Sequence, residues 1–405
     1  MTCDVIVYPR SDEAVDNSGY PQLNGHFEDM PFRENKAALI LRGMSTHPDF
    51  TPGFLISNIP GVLGYHPENS LIAFLFFRQA EVGKGGRYVL GPMLRADFGA
   101  LNHDSGFVDY IAHIEPDLVF GVVVGTEGAL ECAREFEVLC HETGVPLSAV
   151  WHVPELFSGA QYTRITGEGV DGLSEFTSFR QQWDQGEVAE ILASPAMASF
   201  VQRGDLPAIN RRESYAYFEP TQQSVTIDGR EQLTRDCIMH AESLIGALEA
   251  SDAFDAELMT RSLIDDFQDI IDRVISYQLS EDEIEADNDI IEHASVYFGH
   301  TWLRDALLDY AVGDYSAAFY RLCVAVARVL RGEPRAHALC CAAMAASFIG
   351  HNHRVPQALE LANVSCPRHR LTYLMQEALH CGGLTLLYRA CVEGARLARV
   401  KLVRG

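Results

Sequence analysis

The sequence predicts an α/β domain followed by an all-helical domain, on three observations. Up to Val153, strand-length apolar runs alternate with helix-length segments, which is typical of an α/β domain. From Arg230 onward, apolar residues recur at helical spacing almost without interruption. A chain of 405 residues is also longer than a single core of ordinary size requires.

The α/β domain is expected to span residues 37–220, after a polar N-terminal arm at residues 1–36. Within the arm, Val5-Ile6-Val7 has the composition of a short strand. The domain's first strand is predicted at Ala37–Leu41. A helix is predicted at Pro52–Gly64, and Pro60 must bend or end it because proline lacks the amide hydrogen that a helix interior needs.

The strands that follow are predicted from continuous apolar runs, as expected of strands buried on both faces. They are Leu71–Phe77, Leu118–Val124 and Val145–Val153, with Arg87–Leu94 paired to the first. Helices are expected at His103–Ile114, Glu127–Thr143 and Ser194–Gln202. Together these elements predict a mixed or mostly parallel sheet with flanking helices.

The second domain is predicted to follow a polar linker at residues 221–232 and to span residues 233–405. Its clearest helix is Leu263–Leu279, where one apolar stripe recurs at helical spacing and the acidic residues lie off the stripe as a solvated face. Residues 280–292 contain seven acidic residues and are predicted to form an acidic linker.

A weak internal repeat predicts helical hairpins in the second domain. Pro334-Arg335 recurs as Pro367-Arg368, and Gly350 recurs as Gly383, each 33 residues later. This spacing is similar to that of tetratricopeptide repeats, although the aromatic residues usual in them are missing, and a generic helical bundle is the alternative. Stacked hairpins form concave surfaces that bind peptides, so we expect a protein partner here.

Charge and composition exclude several function classes. Acidic residues outnumber basic ones 56 to 31, for a net charge of −25, so nucleic acid is not an expected partner. No apolar run reaches 18 residues, so no membrane span is expected. The ten cysteines contain no C-x-x-C pair and fit reduced thiols in the cytoplasm. The single basic stretch, residues 389–404, predicts an amphipathic helix that either caps the last hairpin or binds a partner.

Two motif-like clusters predict no cofactor and no metal. Gly167–Gly172 has the letters G-x-G-x-x-G, but Glu168 and Asp171 would repel a pyrophosphate, and a surface turn is expected instead. His351, His353, Cys366 and His369 are zinc ligands by residue type. A helix over residues 354–365 would hold the two pairs about 16 Å apart, so we expect solvent-facing histidines.

The candidate site residues lie where strands of the α/β domain end. Ligands in such sheets bind at the carboxyl ends of strands. Candidate catalytic residues are His66, Arg95 and Asp97, and candidate ligand-binding residues are Tyr65, His66 and Thr126. The alternative for Thr126 is that it caps a helix starting at Glu127.

The stretch Phe54–Ile72 resembles the opening of a family of high-GC Gram-positive bacteria, domain of unknown function 4192. The residues that fit are Pro60, Leu63, Gly64, Tyr65, Pro67, Ser70 and Leu71. Arg95-Ala96-Asp97 fits the family's R-x-D, although Phe98-Gly99 replaces the usual Leu-Pro, and Arg211-Arg212-Glu213 fits a later motif. The resemblance covers roughly residues 37–383. It implies the architecture and supplies no catalytic residue.

These observations predict a cytoplasmic adaptor or regulatory protein that binds a protein partner through its helical C-terminal domain. A homo-oligomer is also considered as a form of assembly. The alternative is an enzyme or small-ligand-binding protein with its site at the strand ends of the α/β domain. The sequence favours the non-enzymatic role, because it contains no G-x-S-x-G, H-E-x-x-H or P-loop motif.

Overall fold

The computed structural model describes residues 3–6, 51–81, 84–101, 106–167, 182–221, 226–380 and 384–404. They form two compact units, Met1–Arg211 and Arg212–Gly405. The division falls upstream of the predicted linker at residues 221–232, and a helix that begins at Ile227 occupies part of that linker. The strand predicted at Ala37–Leu41 lies outside the described residues. So does the glycine-rich motif after its first residue, Gly167.

The first unit contains a mixed sheet of seven described strands in the order β1-β3-β2-β4-β5-β6-β7. The strands are β1 (Cys3–Ile6), β2 (Ser70–Glu81), β3 (Lys84–Asp97), β4 (Leu118–Val124), β5 (Leu147–Val153), β6 (Gln161–Thr166) and β7 (Gln185–Glu187). Only β4 and β5 pair in parallel among these described strands, and the other pairs are antiparallel. The sheet is therefore mixed, which was one of the two predicted alternatives, and the mostly parallel alternative was wrong.

The centre of the sheet confirms the prediction of doubly covered strands. All seven residues of β4 are buried. On one face, Phe120 packs against Trp151 with ring centroids 5.2 Å apart. On the other face, Val119 and Val150 share a core with Phe136. Both faces of β4 are buried, which explains why its sequence is an uninterrupted run of apolar residues.

Five described helices flank or extend the sheet. They are α1 (Pro52–Ser57), α2 (Ile59–Leu63), α3 (Phe107–Ile114), α4 (Ala129–Thr143) and α5 (Ala198–Arg203). Pro60 lies in the first turn of α2, where its missing amide hydrogen costs nothing, and the helical path breaks at Asn58. Gly64 ends α2 at φ +77°, and its N–H donates to the Pro60 carbonyl at 2.8 Å.

The second unit is helical throughout its described residues. Its helices are α6 (Arg211–Ala216), which begins at the boundary, α7 (Ile227–Ala250), α8 (Ala253–Ser276), α9 (Glu281–Ala286), α10 (Asn288–Phe298), α11 (Thr301–Asp305), α12 (Ser316–Val329), α13 (Gly332–Phe348), α14 (Arg354–Ser365), α15 (Arg370–His380) and α16 (Leu384–Arg404). None of the described helices is long and apolar enough to cross a membrane.

The acidic segment at residues 280–292 is not a linker, and that prediction was wrong. Ser280 begins α9 with a reciprocal capping box to Glu283. Ile284 is fully buried, and the buried Glu285 accepts a 3.2 Å hydrogen bond from Arg328, which is also buried. The acidic residues in the first turn of α9 interact favourably with the helix dipole, and Glu285, near the end of the helix, is paired with Arg328.

The basic C-terminal helix α16 packs against its own unit. Cys391, Ala395 and Leu402 are buried. Arg399 donates to the Ala306 carbonyl at 3.0 Å and to Asp309 at 2.7 Å. These contacts favour the capping interpretation of the basic stretch, because its apolar face and one of its arginines are used within the unit.

Candidate functional site

Candidate site residues predicted from the sequence lie along one edge of the sheet, where its strands end. Because β2 runs antiparallel to β3 and β4, its first residue, Ser70, pairs with Asp97 and Val124 at the ends of those strands. Arg95 lies two residues inside this edge, opposite Ile72. The prediction that candidates from separate segments meet at strand ends therefore has a geometric basis, although their roles stay predictions.

Arg95 and Asp97 are engaged with each other at this edge. The Arg95 guanidinium is almost fully buried, and its Nε and Nη2 donate to the Ser70 hydroxyl at 2.9 and 2.7 Å. The same guanidinium forms an ion pair with Asp97. Ser70 in turn donates to the Glu68 carbonyl at 2.7 Å. This chain of contacts fixes the start of β2 to the end of β3.

The neighbouring candidates differ in their accessibility. Tyr65 is buried, and His66 is half-buried with Nδ1 3.3 Å from the Leu156 carbonyl. Thr126 is exposed and does not cap the next helix, because α4 begins at Ala129 after Gly128 with no side-chain cap. The capping alternative for Thr126 was therefore wrong.

Sequence reasoning missed His152 at the same edge. It is the second-last residue of β5, and its Nε2 lies 2.7 Å from the Gly125 carbonyl. A carbonyl only accepts, so Nε2 carries the hydrogen and Nδ1 keeps its lone pair in the neutral ring. A histidine near the carboxyl end of a parallel strand was the available signal, and it was overlooked among apolar neighbours.

A second polar cluster lies inside the helical unit, and we call it the His337 cluster: Glu333, His337, Cys340, His369, Thr372 and Arg304. Glu333 and His337 lie one turn apart on α13, and His369 immediately precedes α15. The two imidazole rings have centroids 4.9 Å apart. His369 Nδ1 lies 2.8 Å from the Thr372 hydroxyl and 3.7 Å from the Cys340 sulfur.

Burial sets the protonation states in the His337 cluster. It lowers the pKa of His337 to about 3 and that of His369 to about 4, and the nearby Arg304 charge acts in the same direction. Burial also raises the pKa of the Cys340 thiol to about 12. At neutral pH both imidazoles are thus uncharged, and Cys340 is a thiol without nucleophilic thiolate character.

The four residues considered as zinc ligands in the sequence are separated into two pairs by a helix, as predicted. α14 (Arg354–Ser365) separates His351 and His353 from Cys366 and His369. The expectation that these histidines face solvent was wrong for His353 and His369, which are both buried. Within the described part of the chain, the one group of at least three potential ligands near enough for a shared ion is Glu333, His337 and His369.

The fold defines a protein of two units, with a mixed sheet and its helices in the first and helices in the second. The chain belongs to the family described as Domain of unknown function (DUF4192), whose family model matches residues 52–383. This match confirms the resemblance read from the Pro60 to Leu71 motif. No curated protein and no solved structure matches the chain.

Proposed function

We propose that the protein is a cytoplasmic adaptor or regulatory protein whose helical unit binds a protein partner. One observation carries the proposal: three large apolar side chains are exposed where α14 ends and α15 begins. Val364 is 70% exposed, Tyr373 61% and Leu374 48%. Exposed large apolar side chains mark a binding surface when they form one patch, and we infer that these three do. We call this set the α14–α15 surface.

The charges beside these side chains indicate the chemistry of the partner. Arg368 lies in the turn between the two helices, Arg370 is the first residue of α15, and both are exposed. They provide local positive charge on a chain whose net charge is −25. An acidic, amphipathic segment of another protein complements both features, since its apolar residues would cover Tyr373 and its carboxylates would pair with the arginines.

The interior of the same helices supports a preformed surface. Ala358, Leu359 and Ala362 of α14 and Met375 of α15 are buried. Helices with one packed face and one exposed apolar position can bind without first folding, which limits the entropic cost of association. We infer that α13, α14 and α15 act as a hairpin array similar to tetratricopeptide repeats, with the peptide-binding role common to such arrays.

Cysteine chemistry supports the cytoplasmic part of the proposal. All eight cysteines whose side chains the structure describes are free, and seven of them are buried. Thiols persist unpaired in reducing compartments, whereas secreted proteins tend to use cysteines in disulfides.

The test is affinity capture of the full-length tagged protein from its source cells. We expect a stoichiometric protein partner with the wild type, and its loss when Tyr373→Glu and Leu374→Glu are combined. Tyr277→Glu is the matched control, because Tyr277 is 72% exposed on the same unit and its substitution should leave capture unchanged. Equal capture by the double variant and the control would contradict the assignment of the surface.

A second candidate function is small-ligand binding at the carboxyl edge of the sheet. It is supported by the convergence there of His66, Thr126 and His152 around the end of the parallel pair β4 and β5. Thermal shift of the full chain with nucleotides and sugar phosphates tests it. A ligand whose shift disappears with Thr126→Val would favour this candidate, and no shift with any compound would count against it.

A further inference from the structure

We propose that Glu333, His337 and His369 form a binding site for a divalent transition metal, with Zn²⁺ the best fit. The carboxylate and one nitrogen of each imidazole lie within 4.8 Å of one another. This donor set, two imidazoles and one carboxylate, is one that zinc accepts with a fourth position left to water.

The spacing of Glu333 and His337 is close to what zinc requires. Bonds of about 2.0–2.1 Å in a tetrahedron place ligand atoms about 3.3 Å apart. The Glu333 carboxylate oxygen is 3.7 Å from Nε2 of His337. The Glu333 side chain is 61% exposed, so it has room to rotate toward Nε2 of His337. The His337 ring, by contrast, is held in place by burial.

The hydrogen-bond pattern of His337 is the observation that points to a ligand. Nδ1 lies 2.8 Å from the Phe298 carbonyl, which accepts only, so the hydrogen of the neutral ring is on Nδ1. Nε2 therefore presents a lone pair. This atom is buried in a residue that is 2% exposed, and it has no hydrogen-bond partner among the described residues.

That lone pair faces another acceptor. A Glu333 carboxylate oxygen lies 3.7 Å from Nε2, and an ionised carboxylate has no hydrogen to give. Two acceptors without a hydrogen between them repel, whereas a cation between them satisfies both. The Nδ1–H contact to a backbone carbonyl is also the outer contact that metal-bound histidines usually make, where it fixes the tautomer and strengthens the ligand.

His369 brings the third ligand and the main opposing charge. Its Nε2 lies 3.4 Å from a guanidinium nitrogen of Arg304, and a positive charge there weakens cation binding. Arg304 is itself paired with Asp305 through an ion pair. The charges of Glu333, Arg304 and Asp305 thus sum to −1 beside two neutral imidazoles, which still favours a divalent cation.

The direct measurement is zinc titration of the full-length protein, purified without a histidine tag and stripped with chelator. We expect one equivalent of Zn²⁺ to bind and to raise the melting temperature by about 5–10 °C when zinc is at a hundredfold excess over the dissociation constant. Co²⁺ is the spectroscopic probe, because its visible bands strengthen when it enters a four-coordinate site.

Two variants make the test decisive. Glu333→Gln changes an exposed side chain, so the apo protein should melt as the wild type does while zinc affinity falls at least tenfold. His293→Ala removes an exposed histidine that also has an acidic neighbour, Asp289, and should leave zinc affinity unchanged. A wild type that binds no zinc at 100-fold molar excess, or a Glu333→Gln variant with wild-type affinity, would overturn the proposal.

Discussion

Loss of Arg328 is predicted to destabilise the helical unit strongly. Its Nε donates to the Tyr217 carbonyl at 2.8 Å, and its Nη1 donates to Asp282 at 2.6 Å and to Glu285 at 3.2 Å. Its guanidinium also lies 5.2 Å from the centre of the Tyr217 ring. One side chain thereby connects α12, α9 and the segment that follows α6.

The magnitude of the effect depends on which partners remain buried after Arg328→Met. Asp282 has a side chain that is 71% exposed, so water replaces the arginine there at little cost. The Glu285 side chain is only 1% exposed and keeps the 3.0 Å hydrogen bond from the Thr221 amide. Removing one partner of a buried ion pair costs about 3–5 kcal/mol, and the loss at Glu285 dominates the expected effect.

Urea denaturation followed by far-ultraviolet circular dichroism measures that loss in the free energy of unfolding. Adding Glu285→Gln to Arg328→Met should recover about half of it, because the buried charge is then absent. Arg261→Met is the matched control, since that arginine is 67% exposed and pairs with Glu257 on its own helix. A loss below about 1 kcal/mol for Arg328→Met, or no recovery in the double variant, would refute the reasoning.

Three further predictions concern the same unit. Leu402→Ala should lower the free energy of unfolding by about 2–4 kcal/mol, and Leu397→Ala on the same helix by less than about 0.5, because Leu402 is 2% exposed and Leu397 53% exposed; melting curves of both variants check this. In the presence of chelator, the free energy of unfolding should fall as pH drops from about 6.5 toward 4, at up to about 2.7 kcal/mol per pH unit. The reason is that His337 and His369 become protonated in the unfolded state, whereas burial holds their pKa values in the folded state at about 3 and 4. His369→Asn should roughly halve that slope in urea titrations at several pH values, and an unchanged slope would contradict the cause. Arg368→Gly should stabilise the apo protein by about 0.5–1 kcal/mol, because Arg368 lies at φ +76°, where glycine is less strained. The same substitution should weaken partner capture, because it removes a positive charge. A variant with unchanged stability and unchanged capture would contradict both expectations.

Elements whose own residues specify them could be predicted from the sequence alone. The apolar run Leu118–Val124 matches β4 residue for residue, because a strand covered on both faces leaves no polar position. The helix predicted over residues 354–365 agrees with α14 for the same kind of reason. Each of these elements is specified by its own residues.

Contacts between distant residues explain what the sequence did not reveal. The acidic segment at residues 280–292 was interpreted from its charge alone, but Ile284 packs in the core and Arg328, 43 residues from Glu285, neutralises the buried acid. His337 and His369 meet only because α13, α14 and the turn before α15 bring them together. Glu333 and His337 at helical i, i+4 spacing were a local signal, but nothing local identified His369 as their partner.

The most direct test of the proposed function is site-specific photo-crosslinking in the source cells. A benzophenone amino acid placed at Tyr373 or at Val364 should crosslink to the same protein, because the two positions lie on the α14–α15 surface. The same amino acid at Tyr277, which is equally exposed, should not crosslink to that protein. Crosslinking from Tyr277 to the same protein as from Tyr373, or none from Tyr373 and Val364, would contradict partner binding through this surface.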